Sequence, residues 1–440
     1  MASYNGSTTS VYLSSVDMLL TREIREQLYK TYGNQLGQFS LDIEFLFGDK
    51  VEQVSGQRSY NWFEESKFNR VFSANGTVNI GGGAVTVTIP AAEHFNSGKG
   101  SYPIIGNTVE FTDKSQGVIT AKSTAVDSAH TVTIKITTGA IATVTAADKI
   151  VVISNSWAEE TGQPVGRTPT VAKKTNQMQL VKGTYQASGT AWALETEVQF
   201  EGEKRYIRQG QMEALAQFTM DSDTALLLQQ EATGITDVDG KPLTFTRGLI
   251  PDIRTSGKKL AATGFSLARL NEMIAYLNNQ KANKSYAGYF GDTLSLSISD
   301  FFIVGQKNDE VNYEDMGGKE RAVKLGFNSI HKNGFSFFMK DLGIFNDDQN
   351  LGATGFGYRN SGVFVPTGDT AYMDNNRDKA TGKSIAVRYL KDRYLEEWED
   401  GAGTGRSGAK TGQVDTVYWL MRADRGIEVR GINRFLLLED

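Results

Sequence analysis

Residues 205–231 run without a proline and read as the longest helix in the chain. Ile207, Ala214, Leu215, Phe218, Ala225 and Leu226 recur at spacings near three and four, which makes one apolar stripe. Gln209, Gln211, Glu213, Gln217, Asp221 and Gln230 occupy much of the remaining surface. Gly234 stands just past the end, where a left-handed capping residue is expected. Gly210 is the weak point, either a kink or the true start. At 1.5 Å per residue the rod reaches about 40 Å, the width of a domain. Strand-like sequence flanks it on both sides, so the helix is expected to lie across a sheet rather than in a bundle.

The rest of the chain divides around this rod. Residues 1–38 give a polar arm followed by an amphipathic helix over 17–32, with Val16, Leu19, Leu20, Ile24 and Leu28 on its apolar side. Residues 39–83 give an alternating strand at 39–47 and an aromatic segment at 60–72 that suits an edge strand or an extended loop. Residues 84–156 differ in composition, being rich in Thr, Val, Ile, Ala and Gly. Strands are predicted there at 84–89, 108–111, 117–123, 131–137 and 149–154, a spacing that suits a small inserted barrel or sandwich. Residues 157–204 give a linker and a long hairpin, and 205–250 give the long helix with a Thr-Phe-Thr strand ending near Pro251. From 251 to 412 a helix at 266–280, with Leu267, Leu270, Ile274 and Leu277 inside, precedes strands at 286–290, 294–304, 322–327, 334–338, 362–366 and 385–390. A charged, flexible stretch follows at 391–412. Residues 413–440 close the chain with strands at 416–421 and 427–438, joined by a turn at 424–426.

With 440 residues the chain can bury a sizeable core and form more than one domain or subdomain. It contains no cysteine, which excludes disulfides, thiolate metal sites and thiol nucleophiles. Its three histidines, His94, His130 and His331, are far apart in sequence, and they are expected to be surface or structural residues. A net charge of −5 carries no nucleic-acid-coating signature. The first residues lack the basic-then-apolar pattern of a secretory leader, no run is apolar enough to span a bilayer, and synthesis in a cytoplasm is expected.

Candidate chemistry is thin. Gly403, Gly405 and Gly408 match the letters of a dinucleotide turn, but neither a buried strand nor a helix flanks them. Asp374, Asn376 and Asp378 space oxygens like the start of a calcium loop, with Lys379 at the sharp-turn position and Ile385 where the closing glutamate belongs. The pairs Asp347–Asp348 and Glu396–Glu397 are adjacent, so in a strand they point to opposite faces, unlike glycosidase carboxylates facing across a cleft. No catalytic, cofactor-binding or metal residue is assigned, and no cofactor is expected.

The order of elements is similar to the major capsid proteins of tailed bacteriophages, the HK97-like fold. Asn176-Gln-Met-Gln-Leu180 with Ala187-Ser-Gly-Thr190, the Glu203-Lys-Arg-Tyr206 entry to the helix, the Trp62 segment and the β-rich insertion upstream carry the resemblance. It covers nearly the whole chain on short motifs, and is most like capsid proteins of Bacteroidetes-infecting phages, the crAss-like group included. The resemblance implies an α+β fold with an N-arm (1–38), an E-loop (157–204), a peripheral domain with the spine helix (205–250), an axial domain (251–412) and an inserted all-β domain (84–156). It also implies no enzymatic activity and assembly with itself into hexamers and pentamers of an icosahedral virion shell in the host cytoplasm. Neighbouring capsomers, portal, scaffold and decoration proteins, and packaged double-stranded DNA without sequence specificity are the implied partners, with no membrane. The Lys–Asn isopeptide bond of one member has no matched partners here. Two alternatives stay open: an encapsulin-type compartment shell, and a β-rich carbohydrate-binding or adhesive protein using Trp62 and Trp157 as platforms. The physical expectation for the spine helix is that Leu215 and Phe218 pack on the terminal strands around 417–419 and 427–432.

Overall fold

The computed structural model describes residues 49–53, 57–65, 70–79, 83–89, 104–123, 130–139, 143–146, 148–164, 171–188, 206–307, 329–348, 350–367, 370–373, 379–401 and 416–440. The expected arm and helix at 1–38, the strands at 39–47 and 322–327, the part of the expected hairpin at 189–204, the loops at 374–378 and 403–408, and His94 lie outside those residues. Asn61–Lys174 make up one compact unit, and Met1–Tyr60 with Thr175–Asp440 make up the other.

The first strands are β1 (Asp49–Gln53), β2 (Ser59–Glu65), β3 (Val71–Ser73), β4 (Val78–Asn79), β5 (Ala84–Ile89), β6 (Asn107–Glu110) and β7 (Gln116–Lys122). Then come β8 (His130–Thr138), β9 (Thr143–Val144), β10 (Lys149–Asn155), β11 (Val171–Gln177) and β12 (Gln179–Ser188). Helices α1 (Tyr206–Leu228) and α2 (Leu249–Ser256) follow, then β13 (Lys258–Leu260), α3 (Leu267–Asn279), β14 (Ser285–Phe290) and α4 (Asp292–Lys307). The remaining elements are β15 (Ser329–Lys332), β16 (Phe335–Asp341), the short α5 (Gly343–Asn346), β17 (Gly362–Pro366), β18 (Thr370–Met373) and β19 (Lys379–Gly382). The chain closes through β20 (Ile385–Leu390), β21 (Glu396–Gly401), β22 (Thr416–Val429) and β23 (Leu436–Leu438).

Among the described residues of the 61–174 unit every helix or strand element is a strand. Its six-stranded sheet runs β3-β10-β6-β7-β8-β5. The alternating patterns predicted at 84–154 match these strands to within a residue or two. Strand β5 alternates exposed and buried positions as a one-faced strand should. Val85, Val87, Ile89, Val109, Ile119, Ile134 and Ile150 form the dry inner face. The aromatic segment at 60–72 resolves into β2 and β3.

Among its described residues the larger unit holds two large sheets and the two-stranded ribbon β18-β19. The first is organised on β22, which pairs along its length with β12, from Gln179 opposite Arg425 to Ser188 opposite Thr416. On its other edge β22 carries two shorter strands in succession, β21 at Glu396–Gly401 and β20 at Ile385–Tyr389. Asp424 N–H bonds the Arg393 carbonyl at 2.9 Å in the gap between them. Strand β1 adds in parallel to β20. The second sheet runs β13-β23-β17-β14-β16-β15. Helices α3 and α4 cover one face of it, where Leu270, Met273, Ile274, Leu277, Leu294 and Ile298 meet Phe290, Phe337 and Phe364. Leu226 and Leu227 of α1 and Leu249 and Ile253 of α2 share a core with Val363, Val365 and Leu437 of that sheet and with Ile427 and Val429 of β22.

Several expectations change. The turn expected at 424–426 does not exist, and β22 passes straight through it. The strand expected at 294–304 is helix α4. Leu294 and Ile298 fit both a period of two and a period of 3.6; Leu296 separates the two, and at 64% exposed it points away from the core. Helix α1 ends at Leu228, so Gly234, at φ 77°, serves the following loop instead of capping it. The Thr-Phe-Thr segment forms no strand, and Pro251 sits in the first turn of α2, where a missing N–H is harmless. In α3 the Ser266 hydroxyl accepts from Arg269 N–H as expected, but Leu267 is exposed and Met273 takes its place inside. Part of the charged stretch at 391–412 is strand β21. The terminal segments also separate: β22 joins the α1 sheet, while β23 lies within the other sheet.

Candidate functional site

The polar groups that the fold concentrates lie where α1 crosses β12 and β22. Residues alternate across β22. Met421, Ala423, Arg425, Ile427 and Val429 face the helix side, and Asp424, Gly426 and Glu428 face the other.

On the helix side Phe218 packs against Met421 and Ala423, with Val181, Ala214 and Leu215 alongside. The contact expected for Leu215 and Phe218 is therefore with the terminal strand, but centred on 421–423. Leu226 and Leu227 take the 427–432 region. Two glycines allow the close approach. A Cβ on Gly183 would stand 2.8 Å from the Phe218 ring, and one on Gly210 would stand 2.6 Å from the Tyr185 hydroxyl. Gly210, the apparent defect of the helix, is thus where the Tyr185 side chain of β12 lies against it. Between the two apolar contacts Arg425 Nη1 donates to Asp223 Oδ1 at 3.1 Å, with side chains only 5% and 7% exposed. The Arg425 guanidinium also lies 4.7 Å from the centre of the Tyr394 ring.

On the opposite side Asp424 accepts from Arg58 Nε at 3.2 Å, and Glu428 is held between Arg388 Nε at 2.5 Å and Arg430 Nε at 2.7 Å. Tyr60 donates its hydroxyl to the Ile427 carbonyl at 2.7 Å, and burial pushes its phenol well above its ordinary value. Gly426 is required by this packing. A Cβ there would lie 2.7 Å from Tyr60 Oη and 2.8 Å from the Gln177 carbonyl oxygen, and the backbone cannot yield as a side-chain tip can. Gly426→Ala is expected to cost about 1–3 kcal/mol. A lower urea midpoint checks this, with Gly162→Ala, whose Cβ meets nothing within 4 Å, as the neutral control.

Asn176 explains the Asn-x-x-Gln spacing. Its Nδ2 donates to the Ile427 carbonyl at 2.7 Å and the Arg247 carbonyl at 3.0 Å, and its Oδ1 accepts from Arg247 N–H and Gln177 N–H, both at 2.8 Å. Three residues on, Gln179 Oε1 accepts from Thr246 N–H at 3.3 Å. Both amides therefore clamp the segment between α1 and α2. Arg247 adds Nη1 to Glu231 at 3.2 Å, Nη2 to the Thr175 carbonyl at 3.0 Å, and Nε 3.1 Å from Asp252.

Three of the carboxylates singled out in the sequence make contacts within the fold. Asp347 closes a turn through its carbonyl and Asn350, and Asp348 pairs with Arg359 at 3.2 Å. Glu396 takes both nitrogens of the Arg422 fork at 2.6 and 2.8 Å on strand β21. Among the described residues no group of three His, Asp or Glu side chains could hold a metal ion. Also among them, no helix is long and apolar enough to cross a membrane. His331 Nδ1 lies 2.8 Å from the Ser336 hydroxyl on a hairpin. Trp62 is buried, with its indole N–H on Glu64 at 3.3 Å, so it offers no platform, whereas Trp157 is 41% exposed.

Away from the seam several carboxyls are held below the ordinary carboxylate range, Asp292 and Asp440 among them. Arg359 lowers Asp292, and bonds from Thr263 lower Asp440. A depressed folded value contributes stability above the unfolded pKa, near 4, that disappears as pH falls through the folded value. Desolvation raises Asp221, which acts in the opposite direction. The thermal midpoint is expected to fall between about pH 5 and pH 3, and Asp292→Asn to flatten that decline.

No family model and no curated protein matches the chain. Among solved structures it is similar to the capsid of a native GTA particle, at 8% identity over 96% of this chain and 95% of that one, with a TM-score of 0.40. It is similar also to a structure of Gordonia phage Cozz, at 11% identity over 96% and 91%, with a TM-score of 0.42. A third is the capsid of Myoviridae phage XM1, at 11% identity over 94% and 95%, with a TM-score of 0.37.

Proposed function

We propose that this chain is the major capsid protein of a tailed phage, a subunit with the HK97-like fold that self-assembles into hexamers and pentamers of an icosahedral head around double-stranded DNA. The observation that carries the reading is the mounting of α1. A 23-residue helix is laid on a ten-residue strand pair and held there by two glycine contacts and a buried ion pair. The same long strand then leads, through a short turn, into the second sheet. This arrangement suits a stiff strut that carries load between neighbours. Among the described residues the charged side chains at this seam tie distant backbone segments together.

In this reading α1 is the spine helix, β12 and β22 belong to the peripheral domain, and the sheet around β14 and β17 is the axial domain. The all-β unit is the insertion, and the subunit resides in the virion after assembly in the host cytoplasm. Neighbouring capsomers, portal, scaffold and decoration proteins are its partners, and DNA is enclosed without sequence readout. The narrower likeness to crAss-like phages rests on the short motifs around Asn176 and Ala187.

Expression alone or with a scaffold protein, followed by electron microscopy, tests the proposal. Rings, tubes or closed shells are expected, and a strictly monomeric protein under all assembly conditions would overturn it. Genome neighbours separate a phage head from an encapsulin: terminase and portal genes in the first case, a peroxidase or ferritin-like gene in the second.

A further inference from the structure

We propose that Asn75 is a self-modifying site, at which the backbone nitrogen of Gly76 displaces ammonia from the side-chain amide and water then leaves aspartate or isoaspartate in its place. The inference stands apart from the shell-subunit reading.

Asn75–Gly76 and Asn333–Gly334 are the two Asn–Gly pairs among the described residues, and all four residues are exposed. A glycine after the asparagine carries no Cβ to shield its nitrogen. Among the described residues neither side-chain amide is hydrogen-bonded. The chemistry at both places is the same. The glycine nitrogen bonds to the asparagine Cγ, and its proton leaves with the amide nitrogen as ammonia. Water opens the five-membered succinimide at either carbonyl. Ring closure turns the asparagine ψ to a value outside the ordinary α and β regions, so the rate depends on how freely that bond can turn.

The fold locks one pair and leaves the other loose. Asn333 at φ 50° and Gly334 at φ 76° are the left-handed pair of a two-residue hairpin. Lys332 faces Phe335 directly across this turn, and three further pairs continue the ladder to Ser329 and Phe338. Strand β14 holds the other edge of β16 over six residues. Rotation at Asn333 would pull this ladder apart. Asn75 is anchored only at its start, where its N–H bonds the Thr88 carbonyl at 2.7 Å. The next paired residue is Val78, opposite Val144. Between them Asn75, Gly76 and Thr77 are exposed and form no hydrogen-bonded turn. A Cβ on Gly76, at φ 109°, would meet nothing within 4 Å, so the amide has open space in which to swing over the nitrogen. The product places a carboxylate, ionised at neutral pH, where a neutral amide stood. Phe72, Ala74 and Val144 keep their places in the core beneath it.

The test incubates the full chain in heavy-oxygen water at about pH 8.5, with a urea-unfolded sample beside it. Peptides spanning 75 and 333 are then compared by mass spectrometry, and isoaspartate is scored by electron-based fragmentation. In the unfolded sample both sites are expected to convert at similar rates. In the folded chain, heavy-oxygen label is expected at 75 about tenfold or more faster than at 333, because freeing the hairpin turn first breaks ladder bonds. Asn75→Gln, whose side chain would have to close a six-membered ring, is expected to remove the signal at 75 and leave the thermal midpoint unchanged. Conversion at 75 no faster than at 333 in the folded chain overturns the proposal. So does a folded chain unchanged at 75 over an interval in which the unfolded chain converts.

Discussion

Arg425→Met is expected to cost about 3–5 kcal/mol, because it strips a carboxylate deep under the helix of its guanidinium. Asp223 and Arg425 are 7% and 5% exposed, too little for water to stand in for the missing partner. Removing both charges is a different experiment. Asp223→Leu with Arg425→Met leaves no lone ion, and apolar replacement of a buried pair is often neutral or stabilising. The double variant is therefore expected to regain most of the loss. The coupling energy from the four-member cycle, read by urea unfolding, measures the pair. Additive single effects would mean that the pair does not act as a unit, and the account of how α1 is fixed on β22 would fail. The Tyr394 ring 4.7 Å from the guanidinium offers an internal check. Arg425→Lys keeps the charge but loses the planar fork, so it should recover only part of the stability.

Asn176→Leu carries the second large effect. The replacement keeps the volume and removes the amide, leaving Arg247 N–H, Arg247 C=O and Gln177 N–H without the partner shown here. A polar group left unsatisfied costs about 1–3 kcal/mol when buried, and these three bonds are part-buried, so the expected loss is about 2–3 kcal/mol. The Ile427 carbonyl fares better, since Tyr60 still donates to it at 2.7 Å. Proteolysis should then begin within 229–248, the segment that Asn176 and Gln179 clamp. Asn176→Asp keeps the acceptor and is expected to lose less than Asn176→Leu. Unchanged unfolding and unchanged cleavage in the leucine variant would show that the clamp does not hold that segment.

Both predictions concern residues that the chain displays openly and yet disguises. Ala423-Asp-Arg-Gly426 has the composition of a turn, and the sequence reading placed one there. The strand continues because Asp424 and Arg425 each meet an opposite charge on opposite faces, from positions 366 and 202 residues away. Gly426 is small because Tyr60 and the Gln177 carbonyl press on it, with no reversal of the chain involved. No local pattern distinguishes a glycine needed for close approach from a glycine needed for a turn. Gly210 misleads in the same way, as a weak point in a helix that is in fact the seat of Tyr185. The Asn-x-x-Gln spacing was visible in the sequence, but its partners lie about 70 residues away and no spacing reveals them.

What the sequence determined by itself was whatever depends on neighbours along the chain. The helix at 206–228, the strands of the 61–174 unit and the capped helix at 267–279 all follow from periodicity and end signals within a few residues. Tertiary structure alone decided which strand β12 would pair with, that β22 would carry β21 and β20 end to end, and that 292–307 would be helix. Leu294 and Ile298 suited either period until the second sheet offered a surface for one face. The long helix marks the boundary between the two kinds of information. Its stripe was written in the sequence, but its position on the sheet was fixed by one ion pair and two glycines, whose energies exist only when distant segments meet.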